Sequence, residues 1–190
     1  GQYVWDLGAV KLAPGDRGGR GPVKNKPILL SNGDWLAPAS VETTEGWDVF
    51  VDRSTDGGMT WEASAFLDRS AVDGPGIIQP SLWESQPGQV HMLMRSTAGM
   101  IFRSDSGDNG RTWCPAYPTG LPNNNSGLDL AKLGDGTLAL IFNPVAGNWA
   151  ARTPLRLALS FDNGITWPRT LDIETEPGEY SYPAIISTAV

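Results

Sequence analysis

One histidine and one cysteine in 190 residues leave this chain little from which to build a metal centre or a thiol enzyme. Cys114 has no second cysteine to form an intrachain disulfide with, and His91 lies far upstream of it, so the thiol reads as a small part-buried side chain rather than a nucleophile. A single Cys and a single His offer no zinc spacing, and the Asp-rich turns lack an EF-hand pattern; no metal and no other cofactor is expected. Positive charge is also scarce. Lys and Arg number 14 against 21 Asp and Glu, for a net charge of −7 and no basic stripe, which argues against nucleic acid as a partner. No apolar run is long enough to span a bilayer, and no signal peptide is read in the chain; no membrane partner is expected.

What the chain has instead is turns and tryptophan: 23 Gly, 15 Pro and 8 Trp. Three of the tryptophans close copies of one motif, Ser-x-Asp-x-Gly-x-Thr-Trp. The copies run Ser54 to Trp61, Ser106 to Trp113 and Ser160 to Trp167, and their starts lie 52 and 54 residues apart. A period near 50 residues marks a repeat architecture. In each copy the Asp carboxylate can accept N–H groups of its own loop, the Gly supplies a positive φ, and the indole anchors the turn in apolar surroundings. These Asp residues therefore read as staples, not as catalytic groups.

Strand-forming runs lead into each copy: Val49-Phe50-Val51, Met100-Ile101-Phe102 and Leu155 to Leu159. Two earlier strands recur in each repeat. The first are Ile28-Leu29-Leu30, Ser81-Leu82-Trp83 and Leu128-Asp129-Leu130; the second are Trp35 to Ala39, Val90 to Arg95 and Thr137 to Phe142. With a fourth strand leaving the motif, each repeat is a four-stranded propeller blade. The expected fold is all-β: a β-propeller of about three and a half blades, at roughly 22–70, 75–119 and 122–174, with Tyr180 to Ile186 as the first strand of a fourth from 178. Residues 1–190 read as one propeller region. Rings close at about four to eight blades, so either further blades or a second copy, as a homodimer, is expected to complete it.

The motif is the Asp box, and the chain resembles the BNR-repeat, sialidase-like propellers. Lys24 to Ile28, Leu121 to Gly127 and Tyr180 to Pro183 look like the predicted-neuraminidase branch of that superfamily. The resemblance implies a carbohydrate-active protein that acts on or binds acidic glycans, with sialidase-like glycoside hydrolysis as the leading activity. A polysaccharide lyase on glucuronate-containing glycans, or a non-catalytic glycan-binding or structural half-propeller, are the alternatives. It also favours a secreted or periplasmic location. One departure is specific: where the family carries Arg-Ile-Pro on its first strand, this chain reads Lys26-Pro27-Ile28.

Topology narrows the site. Asp boxes join third and fourth strands and so mark the bottom face; the resemblance puts sialidase-like sites on the top. Starts of first strands, ends of second strands and starts of third strands select a polar, amide-rich, cationic set. Within it Glu42, His91 and Tyr182 are the catalytic candidates; Lys26, Gln79, Arg95, Asn124 and Arg152 are the substrate-binding ones. Arginine binds a carboxylate bidentately, amides serve hydroxyls, and Glu42 is placed for a general acid. Each has a plainer reading: Asn123 to Asn125 as loop-shaping amides, Lys26 as a solvated cation, Tyr182 as packing, and His91 as a hydrogen-bonded core histidine rather than a general base. Arg103 and Arg156 lie nearer the boxes and are excluded.

Overall fold

The computed structural model describes residues 24–188. They form twelve strands in three four-stranded antiparallel sheets. The first blade contains β1 (Ile28–Leu29), β2 (Trp35–Glu42), β3 (Trp47–Ser54) and β4 (Glu62–Ala63). The second contains β5 (Ile77–Gln86), β6 (Gln89–Ser96), β7 (Met100–Ser106) and β8 (Tyr117–Pro122). The third contains β9 (Asp129–Lys132), β10 (Leu138–Phe142), β11 (Leu155–Ser160) and β12 (Arg169–Glu174). Strand order within each sheet follows chain order, as in a propeller blade. The three sheets span residues 28–63, 77–122 and 129–174; the expected start of the first blade at residue 22 lies outside the described residues.

Apolar residues are buried on both faces of the central blade, because it is covered on both sides. Leu36, Val49, Val51, Ile77, Met92, Met94 and Phe102 fill the joint between first and second blades. Trp83, Leu93, Ile101, Leu130, Leu140 and Phe142 fill the joint between second and third. Met92 and Leu93 are adjacent on one strand and point into opposite joints, as a two-residue period requires. Each such side chain contributes about 2 kcal/mol relative to exposure.

The boxes are built alike. Each third strand ends on the box serine, whose Oγ donates to the Asp at 2.7–2.8 Å. The Gly N–H donates back to that Oγ, at 2.8 Å in Gly58, 3.0 Å in Gly110 and 2.8 Å in Gly164. The Asp then takes both the N–H and the hydroxyl of the Thr. The Thr60 and Thr166 hydroxyls are the largest influence holding Asp56 and Asp162 down at about 2. For Asp108 burial pushes upward, but Thr112 and Ser106 outweigh it and the result is again about 2. Carboxylates spent this way on their own turns are staples, as the sequence predicts.

The turns also join blades. A Cβ on Gly110 would come 2.5 Å from Leu36 Cδ1 of the first blade. One on Gly164 would come 3.2 Å from Arg103 Nη1 and 3.5 Å from Trp83 of the second. One on Gly58 of the first box would come 3.6 Å from Trp61 Cζ2 of its own turn and meet no other blade.

Tyr180 to Ile186 is not the strand expected of a fourth blade. An inner strand pairs with the second strand of its own blade, and no such strand follows among the described residues. The segment is held by single contacts instead: Tyr180 N to the Arg152 carbonyl at 3.1 Å, and Ile185 N to Asp129 Oδ2 at 2.9 Å.

Candidate functional site

The face opposite the boxes carries a cavity of about 450 Å³ lined by Lys24, Glu42, Trp47, Ile78, Gln79, Arg95, Trp149 and Tyr182. Glu42 ends β2 and Trp47 opens β3, paired across the turn. Arg95 comes from the end of β6, directly across from Ile78. Gln79 arrives through a bulge: Ile78 pairs with Arg95 and Ser81 with Leu93, so two residues of β5 oppose one of β6. That bulge turns Gln79 to φ 55° and aims its amide at the arginine.

Arg95 is the centre of the site. It is 2 % exposed. Its Nε donates to Asn125 Oδ1 at 3.0 Å; its Nη1 donates to Gln79 Oε1 at 3.1 Å and to Tyr182 Oη at 3.3 Å. Nη2 has no acceptor among the described residues. Burial pulls the guanidinium down from its ordinary value, against the Tyr182 hydroxyl and the Glu42 charge, which push it up. The ring faces of Trp47 and Tyr182 lie 6.0 and 5.8 Å from its central carbon. The second arginine, Arg152, lies over Trp149 and Tyr182 at 5.4 and 6.0 Å. It lines an adjoining cleft of about 550 Å³ that shares those two rings, and it is paired with Glu179 at 2.9 Å.

Backbone strain concentrates here. Six described non-glycine residues have positive φ. Asn109 and Asn163 sit in Asp-box turns; Gln79 (55°), Asn125 (58°), Trp149 (61°) and Tyr182 (55°) all belong to the Arg95 cavity or to the shell that holds it. Such conformations each cost about 1–3 kcal/mol and gather at ligand sites.

Of the residues selected from sequence, Glu42, Gln79, Arg95 and Tyr182 meet in one cavity, and Arg152 flanks it. Three others do not. Lys26 reaches the third blade, where its ammonium donates to Asp129 at 2.8 Å and to the Leu130 carbonyl at 2.9 Å. Asn124 is fully buried, its Nδ2 donating to the carbonyls of Ala150 and Ala151, so it shapes the loop. His91 is four residues from Arg95 on the same strand, about 13 Å away along it, at the box end of the blade. Sequence reasoning missed Trp47 and Trp149; Lys24 met the topological rule but was left out of the chosen set as a solvated cation. The topological rule already pointed to the loops that hold the two tryptophans, but only polar residues were taken from them. Lys24 donates to Asn25 Oδ1, the Leu128 carbonyl and the Pro183 carbonyl at 2.7–2.9 Å. Burial pulls its amine down to about 8, only partly offset by Asp129. No group of His, Cys, Asp and Glu suited to a metal is present among the described residues.

Solved structures share this arrangement of blades. The chain is similar to the NanB sialidase of Streptococcus pneumoniae, seen as a K499G mutant, at 20 % identity and TM-score 0.66, covering 82 % of this chain and 24 % of that one. It is similar to a leech intramolecular trans-sialidase complexed with 2,7-anhydro-Neu5Ac at 17 % identity and TM-score 0.60, covering 86 % and 25 %. The Trypanosoma rangeli sialidase matches at 20 % identity and TM-score 0.59, covering 80 % and 26 %. The chain thus spans about a quarter of the length of these sialidases. No curated protein sequence matches it. Identities this low speak for the sialidase-type propeller fold alone. Kinship comes from the sequence profile of the BNR repeat-like domain, which matches residues 11–190 and shows that this chain belongs to the BNR repeat-like family.

Proposed function

We propose that the Arg95 cavity binds an acidic sugar, as part of a sialidase-like glycoside hydrolase built on one propeller region spanning residues 1–190. One observation carries the reading: a buried arginine is fixed by three neutral partners, opens one uncommitted nitrogen edge to a cavity, and is ringed by strained residues. No carboxylate of the described residues is hydrogen-bonded to this guanidinium, so a ligand carboxylate is the natural partner. Trp47, Trp149 and Tyr182 offer faces for a sugar ring, and Gln79 offers an amide to its hydroxyls. Lys24 and Arg152 add positive charge on the ligand side. Glu42, the one carboxylate lining the cavity, is the candidate general acid, and Tyr182, in contact with Arg95, the candidate for substrate chemistry. The lyase alternative relied on His91 beside Arg95, and His91 does not line this cavity.

Titration calorimetry with N-acetylneuraminic acid and with glucuronic acid tests the reading. Saturable binding that is lost in Arg95→Lys, with the fold retained, supports it. Undiminished binding in that variant overturns it. We also propose that a second copy of the chain completes the ring as a homodimer; a monomer by light scattering at micromolar concentration counts against that.

A further inference from the structure

The other end of β6 carries a second constellation. His91 Nε2 lies 2.7 Å from Ser85 Oγ, and His91 Nδ1 contacts Asp105 Oδ1 closely. Asp105 is held in turn by Arg103 Nε at 2.9 Å and by the Tyr117 hydroxyl at 2.5 Å. Burial pushes its carboxyl up, but the hydrogen bonds from His91, Tyr117 and Arg103 prevail and hold it at about 2.

The network fixes the tautomer. Trp83 Nε1 donates to Asn163 Oδ1 at 2.7 Å, which turns the Asn163 amide nitrogen toward His91 Nε2 at 3.2 Å. Nε2 is therefore the acceptor, and Nδ1–H donates to Asp105 in competition with Arg103 Nη2, which can only donate and points at Nδ1 from 3.1 Å. The indole of Trp83 stacks on the imidazole at 5.0 Å and holds its plane. Hydroxyl, imidazole and ionised carboxylate stand in the order that activates a serine, with Asn163 sharing Nε2.

Ser85 reaches this position through a local irregularity. Glu84 pairs with Val90 and Gln86 with Gln89, so Ser85 is the extra residue of a β-bulge. Bulges re-aim side chains and are over-represented next to active sites. Ser85 is half-buried, whereas the His91 side chain is 9 % exposed, so reagents meet the hydroxyl before the base.

We propose that Ser85 and His91, positioned by Asp105, form a second catalytic site that hydrolyses carboxylic esters. Ser85 Oγ bonds to the acyl carbon while its proton moves to His91 Nε2. The tetrahedral intermediate collapses, the ester C–O bond breaks, and the leaving alcohol takes the proton from Nε2. Water repeats the sequence, releasing the acid and restoring the Ser85 hydroxyl. The second N–H of Asn163 Nδ2, which has no acceptor among the described residues, is the donor placed beside the developing oxyanion.

The test treats the full chain with a fluorophosphonate probe and, separately, follows p-nitrophenyl acetate hydrolysis from about pH 5 to 9. The expected result is a label mapped to Ser85, absent from Ser85→Ala and from His91→Gln. Acetate release should fall about 10³–10⁴-fold in Asp105→Asn. Should the alanine variant fail to fold, Ser85→Cys supplies the same reading, its introduced thiol alkylating faster than Cys114. An unlabelled Ser85 in the folded protein, turnover indifferent to Ser85→Ala, or an introduced thiol in Ser85→Cys that alkylates no faster than Cys114 overturns the proposal.

Discussion

The two ends of β6 make similar starting material into different devices. Each end buries a basic side chain, His91 or Arg95, and at each end β5 bulges to bring one polar residue onto it, Ser85 or Gln79. At the box end the base meets a carboxylate of its own blade, and Arg103 and Tyr117 complete the circle. At the other end the hydrogen-bond partners of Arg95 are all neutral, and no described carboxylate is hydrogen-bonded to the guanidinium, which is why a ligand carboxylate is proposed there. The difference teaches that burial of charge does not by itself define a site. What matters is whether the chain supplies the counter-charge.

The sharpest way to break this contrast is Arg95→Met. It is expected to reduce acidic-sugar affinity at least ~100-fold, and to lower stability by about 2 kcal/mol because Asn125 Oδ1 and Gln79 Oε1 lose their donor. Arg95→Lys should recover part of the stability but not the affinity; calorimetry and thermal melts separate the two. At the box end the balance reverses. Asp105→Ala strips His91, Arg103 and Tyr117 of their acceptor and should cost about 2–3 kcal/mol, or roughly 5–10 °C in melting temperature, with no change in sugar affinity. A variant that loses sugar binding there would join two sites held apart here.

Smaller effects sharpen the comparison between boxes. Gly110→Ala combines positive φ with an intrusion on Leu36 and is expected to cost about 3 kcal/mol, whereas Gly58→Ala, at ordinary contact distance from Trp61, costs about 1 kcal/mol. Paired denaturant titrations check the difference. The smallest effects follow pH. Lys24 loses its proton as pH rises through about 8, so sugar affinity should weaken over that range, and binding isotherms on either side of it decide. Asp56, Asp108 and Asp162 are depressed to about 2 from an ordinary 3.8. Their contribution is present above 3.8 and lost as pH falls toward 2, so acid unfolding monitored by tryptophan fluorescence should progress within that window.

Most of the fold was legible because the boxes and the alternating strands are local patterns. The three Ser-Asp-Gly-Thr-Trp copies define turns whose bonds all lie within a few residues. Glu42, Gln79, Arg95 and Tyr182 were reachable by strand bookkeeping once the family resemblance had put the site on the top face. The rest depended on long-range pairing. Nothing near Lys26 announces Asp129, and nothing near Asn124 announces the Ala150 and Ala151 carbonyls. The two bulges of β5 are invisible in an alternating pattern, yet they decide which side chains reach Arg95 and His91. Tyr180 to Ile186 has the composition of a strand but no partner to make it one among the described residues.

The glycine contacts of the boxes give the array a direction. The second box seats against Leu36 of the first blade, and the third against Trp83 and Arg103 of the second. Like overlapping roof tiles, each blade covers its predecessor and none covers its successor in the same way. Any blade added to this array, from the same chain or another, therefore has to arrive head to tail, and a reversed blade would bring the wrong flank to the joint.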